Sequence, residues 1–395
     1  MAVTVTAYPN LSKCHPLNKL IFMYDEQTVY ANHRERVIDI IDKDNIHTGF
    51  DYRTFLRHRL KFADFNVANY WLHNKPRYKF DFGSFYTDEN FPYFYPLQKM
   101  VEKAKSIEFE KINTLISMKD FGNFHNDFTE VFYNLEKVGI RVDENIFKRT
   151  FDVRDFPSII HKERVYQNYN FFTTTSRPSN AINNVNYAAL TTEQRKCFIP
   201  KNDVFVEFDF ESYHPRLISK LINYDFGDVY VYNKLADDLG VSKSEAKNIT
   251  FQNLYGGIRK EVLQRSKFFE GVDGLIKVLY DEYLTHKFIK SHIYKRPMKM
   301  ANLGDLNPQK LFNYYIQSYE TERNVTLLKK IHNYLLSKGT DIVLYNYDSF
   351  LFDYSKKDGK ELLKDIKRIL ENDGFVVKTK IGKNYGEMSE NTSIS

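Results

Sequence analysis

The stretch Lys201 to Leu221 reads KNDVFVEFDFESYHPRLISKL, and its pattern decides the fold. Val204, Val206, Phe208 and Phe210 alternate with Phe205, Glu207 and Asp209, the period of two that marks a strand with one buried face. Asp209 then falls at the C-terminal end of the strand on the other face, and a helix can follow after Pro215. A carboxylate fixed at a strand end can hold a divalent ion rigidly while substrate approaches from beyond the sheet. On this segment alone, a cap or a surface acid is the plainer reading of Asp209.

Downstream, GVSKSEAKNITFQNLYGG (Gly240 to Gly257) opens with the capping pair Ser242 and Glu245 and closes on Gly256 and Gly257, which predicts a helix from Lys243 to Tyr255. Lys243, Lys247, Phe251 and Tyr255 recur at every fourth position, and four residues turn a helix through roughly 400°, so they form one slowly drifting stripe. Like charges at that spacing cost roughly 0.2 to 0.5 kcal/mol, which an anionic partner would relieve. A nucleoside triphosphate suits the stripe, with phosphates on the lysines and sugar and base on the aromatics. A solvated lysine face above a buried aromatic pair fits the same residues. Further on, GTDIVLYNYDSFLFDYSKKDGK (Gly339 to Lys360) places two β-rich runs, Ile342 to Tyr345 and Phe350 to Tyr354, around Asn346 to Ser349. This is a hairpin pattern with Asp348 at its tip, where aspartate is also common for backbone reasons alone.

The 395 residues carry a net charge of +6, with 29 Tyr and 33 Phe, a composition compatible with phosphate contacts and base stacking but equally with an AT-rich genome. No apolar run is long enough for a membrane span and MAVTVTAYPNLSKCHPL lacks a secretion pattern, so a cytoplasmic location with no membrane partner is expected. Cys14 and Cys197 match no metal-ligand spacing and are read as reduced thiols. Residues 1–125 are aromatic and irregular, with Pro92 and Pro96 ahead of a helix expected near Leu97 to Met118, and show no catalytic pattern. From Asp127, apolar Phe128, Val131, Phe132 and Leu135 predict a buried helix face ended by Gly139. The polar tail Gly386 to Ser395 reads as disordered.

In this order and spacing the segments resemble the polymerase motifs of family A DNA polymerases, typified by bacterial DNA polymerase I. DFESYHPR is similar to D-Y-S-Q-I-E-L-R, with Asp209 on the metal-binding aspartate and Arg216 on the closing arginine. KSEAKNITFQNLYGG matches R-x3-K-x3-F-x3-Y-G at every spacing, with Lys243 in place of the arginine, and YNYDSFLF resembles V-H-D-E-L-V-F, with Asp348 on the second metal aspartate. FFTTTSRPSN resembles T-x-T-G-R-L-S-S, placing Arg177 on its arginine, and KLFNYYIQSYETE resembles R-x-A-x-N-x-x-x-Q-G-T-A-A-D, placing Asn313 and Gln317 on primer-template contacts. GDVYVYNKLADDLG and NLEKVGIRVD are similar to the helix before the second motif and to the segment opening the polymerase domain. The resemblance spans about residues 127 to 385, roughly two thirds of the chain.

The resemblance implies an α+β right-hand architecture: an antiparallel palm sheet bearing both aspartates, helical fingers bearing the Lys-Phe-Tyr helix, and a helical thumb. It divides the chain into residues 1–125 of unassigned role and a polymerase domain at 126–395. Within that domain, 126–202 would be thumb and palm entry, 203–227 the first palm motif, 228–300 the fingers and 301–395 the palm with the last motif. The implied cofactor is a pair of Mg2+ ions, with Mn2+ able to substitute, held by Asp209, Asp348 and the Phe210 carbonyl. Lys247 would stabilise triphosphate charge. Lys243, Phe251, Tyr255 and His214 would join it around the nucleotide, and Arg177, Arg216, Asn313, Gln317 and Tyr347 would contact primer-template DNA. The implied substrates are deoxynucleoside triphosphates.

Departures from the family pattern carry expectations of their own. His214 stands where the family has the glutamate that pairs with the motif tyrosine against a ribose 2′-hydroxyl, so a weaker bond to Tyr255 and relaxed sugar discrimination are expected. Tyr347-Asp348-Ser349 replaces His-Asp-Glu, which alters auxiliary contacts. Only about 30 residues separate Val142 from Thr173, which implies a truncated thumb and either short tracts or a compensating processivity partner. No D-x-E pair precedes Asp209, so proofreading is expected to be absent. So reduced an enzyme suits a phage-type replication gene, located in the host cytoplasm. A single-subunit RNA polymerase shares the aspartates and the K-x7-Y-G helix, although Phe251 favours DNA synthesis. A retired polymerase fold that only binds nucleic acid is opposed by the joint presence of Asp209, Lys247 and Asp348.

Overall fold

A computed structural model describes residues 114–151, 160–180, 184–227, 229–300 and 306–391, and upstream the shorter pieces 5–6, 19–23, 29–33, 47–49, 52–57 and 62–74. The chain forms two compact units, Met1–Tyr133 and Asn134–Ser395.

In the first unit the strands Val5–Thr6, His47–Gly49 and Phe62–Asp64 pair in parallel, and Lys19–Met23 pairs antiparallel with Val29–His33. Asp64 caps the helix Phe65–His73, accepting the Asn66 and Val67 amides at 2.7 and 3.2 Å, and takes the Tyr52 amide at 2.7 Å. Its own amide donates at 2.9 Å to Nε2 of His125, whose burial lowers its pKa to about 4 and keeps the ring neutral. Trp71, Phe121, Phe124 and Phe128 pack ring against ring around these groups. The face expected from Asp127 onward belongs to the longer helix Lys119–Val138, with Phe128, Val131, Phe132 and Leu135 all buried. Gly139 ends it at φ +66°, where a Cβ would meet the Tyr166 ring at 2.9 Å. Most of the helix expected near Leu97 to Met118 lies outside the described residues.

The second unit is built on a five-stranded antiparallel sheet, in the order Asp341–Asn346, Ser349–Tyr354, Val204–Phe210, Val377–Gly382, Met388–Glu390. The strand containing Asp209 is central, and Phe205, Glu207, Val206 and Phe208 are all buried, so both faces are covered rather than the one that the alternation predicts. The cause is that helices line one side and the cluster around Ile140, Phe147, Phe198 and Leu351 fills the other. Two sequence expectations are corrected here. The helix after the strand runs Tyr213–Leu221 and begins before Pro215, which fits because a first-turn residue has no intrahelical amide bond to lose. The tail is ordered through Asn391, because Met388–Glu390 pairs with Lys380–Gly382 at the sheet edge.

The helices Val231–Leu239, Lys243–Gly256 and Lys267–His286 share one apolar core with Leu311, Phe312 and Ile316 of the 28-residue helix Pro308–Leu335. Each fully buried Leu or Phe there contributes about 1.5 to 3 kcal/mol. Asn307 caps the long helix, accepting the Lys310 amide at 2.8 Å with Pro308 in the first turn. Among the described residues no helix is long and apolar enough to cross a membrane.

Candidate active site

The two predicted aspartates meet at one end of the sheet. Strand pairing sets Asp209 opposite Ser349, and the Phe210 amide donates to the Asp348 carbonyl at 2.9 Å, which fixes the hairpin turn to the central strand. The turn is two residues long, and Tyr347 adopts φ +59° in it. That strained conformation is held from two sides. The Asn324 side chain donates to the Tyr347 carbonyl at 2.7 Å, and the Arg177 guanidinium lies 3.9 Å from the centre of the Tyr347 ring.

Asp348 is exposed at the tip of the turn, although its carboxyl is partly desolvated there. This partial burial, followed by the negative charges of Asp209 and Glu320, raises its carboxyl from 3.8 to about 6. A carboxyl raised in part by a neighbouring carboxylate marks two acidic groups held close together, a donor set suited to a divalent cation. Among the described residues no group of three or more His, Cys, Asp or Glu side chains is arranged for a metal. The pair Asp209 and Asp348 is therefore what the side chains offer, with backbone carbonyls and substrate oxygens left to complete a shell.

A cation of the protein's own already sits beside one of them. Lys380 Nζ lies 3.1 Å from a Glu207 oxygen and 3.2 Å from Asp209 Oδ2. Lys380 pairs across the sheet with Glu207, which lies two residues before Asp209 on the same face. Neither Glu207 nor Lys380 was among the expected site residues. The i, i+2 spacing of Glu207 and Asp209 was visible in the sequence; the partner 171 positions from Asp209 was not.

The predicted nucleotide helix runs Lys243–Gly256, capped by Ser242, which accepts the Glu245 amide at 3.3 Å, and ended by Gly257 at φ +108°. Phe251 and Tyr255 are 44% and 39% exposed, so the reading in which this pair is buried fails. Their rings lie 5.9 Å apart and 20° from parallel, an open aromatic surface on the stripe. Lys243 is placed over the Tyr230 ring at 3.9 Å, whereas Lys247 is exposed and no ion pair holds it among the described residues.

His214, in the first turn after the strand, contacts the Tyr255 hydroxyl through Nδ1 and a Glu320 oxygen through Nε2 at 3.2 Å. Arg177 Nε lies 3.6 Å from the same Glu320 oxygen. Asn313, Gln317, Glu320 and Asn324 follow at i, i+4, i+7 and i+11 and thus share one face of the long helix. Arg216 donates to the Gly374 carbonyl at 3.1 Å. Glu320 was missed in the sequence, although its place on the Asn313 and Gln317 face was a usable signal.

The fold has a close likeness among solved structures. Among solved structures, the POL domain of Pol1 from M. smegmatis, described as a complex with DNA primer-template and dNTP, superposes with a TM-score of 0.72 at 12% identity, covering 93% of this chain and 93% of that one. No protein-family model and no curated protein matches the sequence.

Proposed function

We propose that the chain is a DNA-directed DNA polymerase of family A type, extending a primer 3′-hydroxyl on a template by two-metal-ion nucleotidyl transfer, in a reduced form without proofreading. The observation that carries this reading is the pairing of Asp209 and Asp348 at one end of the antiparallel sheet, with Tyr255 of the Lys-Phe-Tyr helix in contact with His214 just beyond the strand that bears Asp209. The likeness to a polymerase domain described with primer-template and dNTP supports it.

In this reading Asp209, Asp348 and the Phe210 carbonyl hold two Mg2+ ions, for which Mn2+ can substitute. When bound, the metal acidifies the primer hydroxyl and neutralises charge on the leaving pyrophosphate. Lys247, exposed and free of an ion pair among the described residues, meets the triphosphate, stabilises charge there and can donate a proton to pyrophosphate. Lys243 adds positive potential at the helix start, while Phe251 and Tyr255 offer base and sugar a stacking surface. Asn313 and Gln317 on the long helix, with Arg177, Arg216 and Tyr347, line the path of primer and template. Residues 126–202 serve as a reduced thumb and palm entry, 203–227 and 301–395 as palm, and 228–300 as fingers.

The test is metal-dependent extension of a labelled primer with deoxynucleotides, beside promoter-free synthesis with ribonucleotides. Asp209→Ala and Asp348→Ala should abolish extension and leave primer-template binding largely intact. Either variant keeping more than about one tenth of the wild-type rate, a penalty below roughly 1.4 kcal/mol, refutes the two-metal assignment. A wild-type chain inactive with both nucleotide types removes the polymerase reading altogether.

A further inference from the structure

Glu320 lies inside the second unit with 1% of its surface exposed. A carboxylate taken out of water is strongly disfavoured unless it is paired. Its partners come from two other segments, His214 Nε2 at 3.2 Å and Arg177 Nε at 3.6 Å. Both are engaged on their far sides as well. His214 Nδ1 meets the Tyr255 hydroxyl, and the Arg177 guanidinium stacks on Tyr347, the neighbour of Asp348.

Burial alone pushes the Glu320 carboxyl upward, but His214 and Arg177 outweigh it and hold the group below the ordinary carboxylate value, hence ionised. An ionised oxygen facing Nε2 requires a hydrogen on that nitrogen. Nδ1 is then left to the Tyr255 hydroxyl, and the contact holds in either ring state, since neutral imidazole accepts the hydroxyl hydrogen there and imidazolium donates to the hydroxyl oxygen. Tyr255 keeps its own proton, because burial first and Glu320 second push its phenol upward.

We propose that Glu320 is a positioning residue for sugar selection: by fixing the orientation of the His214 ring, it pins the Tyr255 hydroxyl where the sugar of the incoming nucleotide must pass. The inference rests on the polymerase reading. It reverses the expectation of a relaxed gate, since the negative charge that His214 lacks stands directly behind it on a different helix. Histidine at 214 and glutamate at 320 act as one unit whose carboxylate reaches Tyr255 through an imidazole.

The experiment compares kcat/KM for deoxynucleotide and matching ribonucleotide incorporation by the wild-type chain, Glu320→Gln, His214→Gln and the double variant His214→Glu with Glu320→Gln. Glu320→Gln keeps the volume and removes the charge. The deoxy-to-ribo ratio should fall by about fivefold, the worth of one hydrogen bond, with the change carried by the ribonucleotide KM. A general loosening of the fold would lower kcat for both nucleotides and leave the ratio alone. The double variant places a carboxylate beside Tyr255 directly and should return the ratio to within about twofold of wild type.

An unchanged ratio in folded Glu320→Gln overturns the proposal, as does a double variant no better than Glu320→Gln. Should Glu320→Gln fail to fold, His214→Gln breaks the same chain of contacts, and an unchanged ratio there overturns it equally. Absence of metal-dependent extension by the wild-type chain is a different result: it refutes the polymerase reading and the selection role with it. Extension with an unaltered ratio refutes the positioning role alone.

Discussion

Replacing Asp348 with asparagine keeps the shape of the turn and removes its charge, and the consequence can be read without any catalytic assay. In the metal-free protein the Asp348 carboxyl is raised from 3.8 to about 6, by partial burial first and then by Asp209 and Glu320. A carboxyl raised on folding destabilises the folded state when ionised. The cost is fully present above about pH 6, shrinks as pH falls through 6 toward 3.8, and vanishes below both values. The distance from 3.8 to about 6 would correspond to about 3 kcal/mol. The exposure of Asp348 lets solvent screen much of that, which leaves on the order of 1 kcal/mol. Asp348→Asn should therefore be the more stable protein by about 1 kcal/mol at about pH 7.5 in chelator, a Tm higher by about 2 °C, and approach wild type at about pH 3, below both values. Added Mg2+ should reverse the order, because a ligand that binds the folded wild-type site stabilises it by mass action and finds a weakened site in the variant. Thermal unfolding at both pH values, with and without Mg2+, decides the matter. A variant no more stable than wild type at about pH 7.5 in chelator refutes the electrostatic account of the pair. Equal stabilisation of both proteins by Mg2+ refutes Asp348 as a ligand.

Lys247→Ala should lose far more extension activity than Lys243→Ala, since Lys243 rests on Tyr230 and Lys247 is held by no ion pair among the described residues; equal, small effects on rate and nucleotide KM would return the helix to a solvated face. Lys380→Met should lower the Mg2+ concentration needed for half-maximal extension, because Lys380 is the cation now paired with Asp209, and an unchanged or higher requirement would show that it does not compete. On the proposed reading of residues 126–202 as a reduced thumb, synthesis by the chain alone should be distributive at about 0.15 M salt, and long products from single binding events in a trap experiment would contradict that.

What the sequence made legible is local. The period of two from Val204 to Phe210, the fourfold stripe from Lys243 to Tyr255 and the polar turn at Asn346 to Ser349 each specify one element and one end of it, and those elements form with the expected chemical groups at the expected ends. Burial of both faces of the central strand was not legible, because a face is covered by whatever packs on it. The same limit hid Lys380, whose meaning comes from sheet order: it pairs with Glu207 only because Val377–Gly382 lies next to Val204–Phe210.

The long helix shows why the rest resisted reading. Ser318, Glu320, Thr321, Glu322, Arg323 and Asn324 are a polar run that composition would assign to a solvated face, yet all are buried. Each charged or amide group in the run is answered by a different segment. Glu320 meets His214 and Arg177, Glu322 takes the Ile293 amide at 2.7 Å, Arg323 donates to the Leu370 carbonyl at 3.1 Å, and Asn324 holds the Tyr347 carbonyl. Such groups are stable inside only when every partner is present, so the run ties the helix bearing His214, the aspartate turn and the loops at Ile293 and Leu370 into one arrangement. Weakening any one contact should therefore be felt at the others, and the placement of Tyr255 and Asp348 follows from the same helix.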